Sequence, residues 1–338
     1  MAVIPGVQPK IPTVVDERLK RGKSQRDDGK AKRMECLEFW RGNQYAYING
    51  ENRVAYQSVT SLGHAGAQSG KPAWRQRLTR NFIFDIVERE VSACTSRVPS
   101  YEVNPSTLDQ EDIDASELGE KVLLYGYDKW RVRSATEAAI RYAIVADEGF
   151  AWPYFDNSIG PYIGEGIGQG EVCLRIYGGD EVGWEPGLSF EDSPWHFIEQ
   201  ARDIESVYQM EGFNGTNLTP DAQNDKGGKS KLVLVTDYLE RPSPKFPNGR
   251  WITLANGKLI CEDRDYPCTD PKGETIDEPV LHRLTYARDP QLDRGVGLVH
   301  TSSTFSGWRT ICPTGSWNGS ASPSIPRSSS ATGSSSNG

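Results

Sequence analysis

The amino-acid composition of the chain changes abruptly after His300, and this change limits which residues can form a folded core. The last 38 residues contain 13 Ser and no Leu, Val, Lys, Asp or Glu, whereas the preceding 300 residues carry all 46 acidic residues. A segment so poor in large apolar side chains buries too little surface to offset the entropy that folding costs. We therefore expect residues 301–338 to form a disordered Ser/Gly-rich tail, outside the fold.

The composition of the whole chain is that of a globular protein that does not grip nucleic acid through a broad basic surface. The chain is 36% hydrophobic and 10% aromatic, which is enough for a core, and its net charge of -8 argues against a broad basic surface for phosphate. Six scattered cysteines form no C-x-x-C pair, so we expect free thiols in a reducing compartment. No signal-peptide pattern and no run of 18 apolar residues occurs, which predicts use in a cytoplasm.

Helical periodicity dominates residues 31–148. The stretch AKRMECLEFW ends before Gly42, which suits a helix stop with positive φ. Asn81 is the predicted N-cap of the next helix, whose apolar residues from Phe82 to Cys94 share one face. Two more helices follow, LDQEDIDASELGEKVLLYGYDKW and one opened by a capping box from Ser134 to Glu137, with a strand-like YEVNP before them. This block is the predicted helical part.

Strand-like segments replace the helical pattern from Gly149 onward. Residues 149–213 form a β-rich part, residues 214–230 a polar linker, and residues 231–300 a strand and hairpin part whose Asn256-Gly257 pair predicts a type I′ turn. Residues 1–30 hold three prolines and interleaved charges, which predicts a flexible N-terminal arm. Helices followed by strands indicate an α+β fold.

Motifs for catalysis or cofactor binding do not emerge from the sequence. The Gly-rich run from Gly160 to Glu171 has the wrong spacing for a dinucleotide loop, and both Gly-Lys-Ser triplets lack the earlier glycine of a P-loop, since Glu17 and Gln223 stand there. The four histidines are far apart and form no metal-binding pair. We expect a structural protein with no cofactor and no metal, and not an enzyme.

The segment LEFWRGNQY, from Leu37 to Tyr45, resembles a segment near the N-terminus of the portal proteins of tailed bacteriophages. In that family a helix ends in an aromatic-x-Gly-Asn-Gln-aromatic turn. Three later pieces resemble the family in the same order: RNFIFDIVEREVSACTSRVPSYEVNP, LVTDYLERPSPKFPNGRWITLANGKLICEDRDYP and RDPQLDRGVGLVH. The resemblance covers residues 31–300 and implies that one turn defines the fold, formed by Trp40, Gly42, Asn43, Gln44 and Tyr45.

The resemblance implies a phage portal-like fold and a structural role. Such portals form a homo-oligomeric ring, commonly of twelve subunits, at one capsid vertex of the virion after assembly in the host cytoplasm. Double-stranded DNA passes through the ring during packaging and ejection, and the partners are the terminase large subunit, the major capsid and scaffolding proteins and a head–tail adaptor. Residues 31–148 would be wing-like, residues 149–213 wing- or stem-like, and residues 231–300 clip- or stem-like.

The family pattern breaks off at His300, where a long pore helix and a crown are expected and are missing. The tail can also be read in a shifted frame, in which the third base of each codon is joined to the first two bases of the next. With suitable codons, this frame encodes LVDFQRVEDNLSNRFLERLRKPLN directly after His300, and that peptide has apolar residues at helical spacing. We hypothesise that a frameshift near His300 replaced the rest of a portal protein with an out-of-frame tail.

A second hypothesis comes from the aromatic and acidic residues. Nine tryptophans and 46 acidic residues are also compatible with an acidic, aromatic-rich carbohydrate-binding or glycoside-acting domain. Exposed tryptophans would favour this alternative, whereas tryptophans packed in the core would not.

Overall fold

The computed structural model describes residues 11–43, 46–48, 54–56, 80–156, 159, 162–164, 167–168, 170–210, 212–221, 231–261, 263–270, 273–289 and 293–299. The helices are α1 (Thr13–Asp28), α2 (Lys30–Trp40), α3 (Phe82–Cys94), α4 (Gln110–Lys129), α5 (Val132–Val145) and α6 (Ile204–Tyr208). The strands are β1 (Ala46–Ile48), β2 (Val54–Tyr56), β3 (Glu148–Asp156), β4 (Tyr162–Gly164), β5 (Ile167–Gly168), β6 (Glu171–Gly178), β7 (Val182–Trp184), β8 (Trp195–Asp203), β9 (Leu232–Glu240), β10 (Arg250–Ala255), β11 (Lys258–Leu259), β12 (His282–Thr285), β13 (Ala287–Asp289) and β14 (Arg294–Val296). The mixed helix and sheet content agrees with the predicted α+β class.

Antiparallel pairing organises the described strands into two main sheets. The larger sheet has the strand order β11-β10-β9-β8-β7, and the smaller has the order β12-β3-β6. Three small hairpins, β1-β2, β4-β5 and β13-β14, complete the pairing. The turn between β10 and β11 has φ of 49° at Asn256 and 68° at Gly257, which confirms the predicted type I′ hairpin.

The two main sheets pack face to face between helices. Their inner faces share an aromatic core that includes Phe150, Trp184 and Leu239. On the far side of the five-stranded sheet, α1 packs against Trp195, Phe197 and neighbouring apolar residues. On the far side of the three-stranded sheet lies α5. The close approach of α5 requires Gly149, because a Cβ there would lie 2.2 Å from the carbonyl oxygen of Ala139.

The N-terminal arm predicted for residues 1–30 is wrong where the chain is described, because α1 is a packed helix. Its buried residues are spaced four, three and four apart, which places them on one helix face: Val15, Leu19, Gly22 and Arg26. Arg26 and Lys23 on this helix both form ion pairs with Glu199 of β8. The abundance of charged residues predicted a solvated segment. In the structure, the same residues belong to a helix that packs on the larger sheet.

The division between residues 149–213 and 231–300 is also wrong, since strands from both sides of the expected linker pair with each other. β8 and β9 form nine consecutive residue pairs, from Trp195 with Glu240 to Asp203 with Leu232. β12 pairs with β3 in the smaller sheet. Part of the linker packs as well: Leu218 is buried in a core cluster with Val207 and Ile260. The β-rich part is thus one unit.

Three local predictions need correction. Residues 101–105 form no strand, although YEVNP alternates as a strand would. The run from Gly160 to Glu171, whose five glycines predict a loop, contains the hairpin β4-β5. The capping box at Ser134 does not form, because α5 begins at Val132 after Arg131, which has φ of 52°. The tail, residues 301–338, lies outside the described residues.

Buried ion pairs join the helices to the sheets. Arg33 of α2 lies 3.1 Å from the carboxylate of Asp147 and donates a 2.5 Å hydrogen bond to Asp180. The neighbouring Glu148 is fully buried and pairs with Arg283 of β12 at 2.6 Å and Arg294 of β14 at 3.2 Å. Removing one partner of such a pair leaves the other charge uncompensated in a low-dielectric interior, so the Arg33 contacts fix the position of α2 and the Glu148 pairs hold β12 and β14 beside β3.

Candidate functional site

The predicted turn closes α2 with a Schellman motif. The backbone N–H of Gly42 donates to the carbonyl oxygen of Phe39 at 3.0 Å, and that of Asn43 donates to Glu38 at 2.8 Å. Gly42 has φ of 92°, which confirms the positive φ predicted for it. The Asn43 side chain also donates to the Glu38 carboxylate at 3.2 Å. Gln44 and Tyr45 lie outside the described residues.

The same turn docks onto α3. The Asn81 side chain donates a 2.8 Å hydrogen bond to the carbonyl oxygen of Trp40, and its Oδ1 accepts one from the backbone N–H of Phe84. Asn81 therefore caps α3, as predicted, and at the same time provides a hydrogen-bond donor for the last carbonyl group of α2. The rings of Trp40 and Phe84 lie 5.8 Å apart. The turn sets the angle between two helices and has the geometry of a structural element.

An exposed apolar stripe runs along α4. Its members are spaced three, four and three residues apart, so they share one helix face, and we call them the α4 stripe: Ala115, Leu118, Val122 and Tyr125. Leu118 is 62% exposed, Val122 48% and Tyr125 64%. This is the seam spacing with which helices pack on other helices at a shallow angle.

The α4 stripe points away from the rest of the fold because the opposite face of α4 is the one that packs. A Cβ added to Gly119 would lie 3.6 Å from Val103, and the buried ring of Tyr127 lies 6.5 Å from that of Tyr101. Because these side chains are already partly covered, burying the remainder would contribute about 1 kcal/mol each. Exposure of all three on one face is typical of an interaction surface.

The outer face of α3 is apolar too. Phe82 is 43% exposed and Ile86 39%, while Val87 and Val91 point into the helical core. The apolar residues from Phe82 to Cys94 were predicted to share one helix face, and the structure buries only part of that face, since Phe82 and Ile86 are exposed. Two helices of the described chain thus present apolar residues outward.

The histidines that the structure describes have unrelated positions. His196 is buried on β8, and its Nε2 lies 2.9 Å from the carbonyl oxygen of Phe190. Burial lowers the pKa of His196 to about 4, so the ring is neutral and Nε2 donates to that carbonyl. His282 is exposed. Among the described residues, no group of three or more His, Cys, Asp or Glu side chains could hold a metal ion.

The tryptophans that the structure describes pack in or beside the core. Six of the nine are described, and none of the six is exposed: Trp152, Trp184 and Trp195 are buried, and Trp40, Trp130 and Trp251 are half-buried. A flat exposed ring on which a sugar could stack is thus absent from the described tryptophans.

Comparison with known proteins leaves the family open. The chain matches no model of a known protein family, and no curated protein sequence matches it. Within the described residues, no helix has both the length and the apolar character needed to cross a membrane.

Proposed function

We propose that the chain is a structural, non-enzymatic subunit of a phage portal ring. The α4 stripe is the observation that carries this proposal, because three large apolar side chains on one outward face need a partner surface. The ordered resemblance of residues 31–300 to portal proteins suggests that the partner is another copy of the chain. A surface on one copy that meets a different surface on the next generates a ring when the rotation closes.

The proposed ring would sit at the capsid vertex of the virion and pass double-stranded DNA. The net charge of -8 supports this role, because a negatively charged channel repels the phosphates that must move through it. The terminase large subunit, the capsid and scaffolding proteins and the head–tail adaptor are the partners that such a ring would contact. The carbohydrate-binding alternative has no support from the described tryptophans, which are all at least half-buried.

The oligomeric state of the purified chain tests the proposal. Mass photometry and negative-stain microscopy should show closed rings of one size. Leu118→Glu combined with Val122→Glu places two charges in the α4 stripe, and this variant should shift the population to monomers while its circular dichroism spectrum stays unchanged. Leu188→Glu is the matched control, since Leu188 is 42% exposed on the β-rich part.

Three outcomes are distinguishable. Rings in the wild type and in the Leu188 variant, with monomers in the α4 variant, support the proposal. A wild-type chain that stays monomeric refutes the ring. Rings in the α4 variant refute the role of the stripe, because the assembly would then depend on other surfaces.

A further inference from the structure

Cationic side chains gather between the two main sheets, at the border between the aromatic core and the apolar cluster under α6. Arg175 lies on β6, Arg202 on β8, and Arg264 follows β11; all three are half-buried. Asp237 of β9 and Tyr177 of β6 are buried beside them. We call these five residues the cationic cluster.

Asp237 is the acceptor of the cationic cluster, and its oxygens are already engaged. Oδ2 accepts from Arg202 at 3.1 Å, and Oδ1 accepts from the Thr253 hydroxyl at 2.7 Å and from the indole N–H of Trp251 at 3.2 Å. Arg264 donates to the Thr253 hydroxyl instead, at 2.8 Å, and its guanidinium lies 3.6 Å from the centre of the Trp251 ring. Arg264 is thus held in place without an acidic partner of its own.

Arg175 lies beside two tyrosine side chains, those of Tyr154 and Tyr177. Its guanidinium carbon lies 4.5 Å from the centre of the Tyr154 ring, and no ion pair of Arg175 with a carboxylate exists among the described residues. The hydroxyl of Tyr177 is buried beside the Arg175 guanidinium, and neither its proton nor Nε of Arg264 has an acceptor among the described residues. Burial raises the pKa of Tyr177 to about 12, so this hydroxyl keeps its proton and can donate.

The charges of the cationic cluster do not balance. Three guanidinium groups against one carboxylate leave a charge of about +2 in a partly desolvated space, together with two buried donors that have no acceptor. Burying like charges without compensation is unfavourable, and fixed guanidinium groups that share no acceptor are the arrangement that binds oxyanions.

We propose that the cationic cluster binds a small phosphate-type oxyanion. A phosphate dianion has the charge that balances the cluster, and its oxygens would accept from Arg175, Arg264 and the Tyr177 hydroxyl. The planar guanidinium of Arg264 is already held in place over the Trp251 ring, so less conformational freedom is lost when it binds. This inference does not depend on the portal proposal, since it concerns the interior of the β-rich part.

Isothermal titration calorimetry with inorganic phosphate tests the proposal, with sodium chloride holding the ionic strength constant. The wild type should bind one phosphate per chain. Arg175→Gln should weaken the affinity at least about tenfold, because one charge-assisted contact is lost. Arg288→Gln is the control, since Arg288 is 48% exposed and pairs with Glu191 away from the cluster.

A second variant keeps the test valid if Arg175→Gln does not fold. Tyr177→Phe removes only a hydroxyl whose proton has no acceptor among the described residues, so it should fold normally and bind phosphate several-fold more weakly. Wild-type protein that shows no heat of binding overturns the proposal, as does unchanged phosphate affinity in both cluster variants. Binding of a glutamate-rich peptide without binding of phosphate would also overturn it, since the ligand would then be a carboxylate.

Discussion

His196 should make the fold sensitive to acid. Its ring is fully buried, with Nε2 hydrogen-bonded to the Phe190 carbonyl and the Phe190 ring centred 4.5 Å away. Desolvation is the main reason that its pKa falls from 6.5 to about 4, and the charge of Arg241 acts in the same direction. The unfolded chain therefore takes up a proton near pH 6.5, whereas the folded chain takes one up only near pH 4.

The sign and size of the effect follow from this difference. Because the folded pKa is depressed, the neutral ring contributes stability that is present above pH 6.5 and is lost as the pH falls toward 4. A shift from 6.5 to about 4 corresponds to about 3 kcal/mol. His196→Gln has no titrating group and retains an amide N–H that can reach the Phe190 carbonyl. The variant should therefore lose less stability on acidification.

Urea unfolding followed by tryptophan fluorescence, repeated between about pH 4.5 and 7.5, measures this effect. The free energy of unfolding of the wild type minus that of His196→Gln should fall as the pH drops. His282→Gln is the control for removing an imidazole, since His282 is exposed. If the curves of the wild type and His196→Gln run parallel, the buried, neutral state assigned to His196 is refuted.

Three further predictions concern other parts of the chain. Gly42→Val should lower the free energy of unfolding by about 1 kcal/mol or more, because residue 42 has φ of 92° and a Cβ would lie 3.2 Å from the Asn81 amide; equal urea midpoints would contradict this. Burial raises the pKa of Asp147 to about 7, so its contribution is present at low pH and is lost as the pH rises through 7. The free energy of unfolding of Asp147→Asn minus that of the wild type should therefore rise between about pH 4 and 7 in the same urea assay, and a constant difference would argue against it. Sequencing the gene around codon 300 should reveal an amphipathic helical pattern in the shifted frame, and stop codons within the first dozen shifted codons would exclude the frameshift.

The sequence predicts only part of the candidate interaction surface, the α4 stripe. The spacing of Ala115, Leu118, Val122 and Tyr125 is visible without coordinates and predicts a helix with an apolar face. A sequence pattern does not say whether such a face is covered. The structure decides this, because Tyr127 and Gly119 pack inward and leave the α4 stripe outside. The sequence contains no pattern that predicts the cationic cluster, because its arginines are 27 and 62 residues apart along the chain.

The sequence by itself determined the helix ends and the tight turn, because these depend on interactions between neighbouring residues. The end of α2 at Gly42, the cap at Asn81 and the hairpin at Asn256-Gly257 depend on backbone angles and hydrogen bonds within a few residues, so their residue types predict them. Tertiary structure alone decided that α1 docks on the larger sheet and that β8 pairs with β9 across the expected linker. Those choices depend on which distant apolar faces and charges can be buried together, and no short stretch of sequence contains both partners.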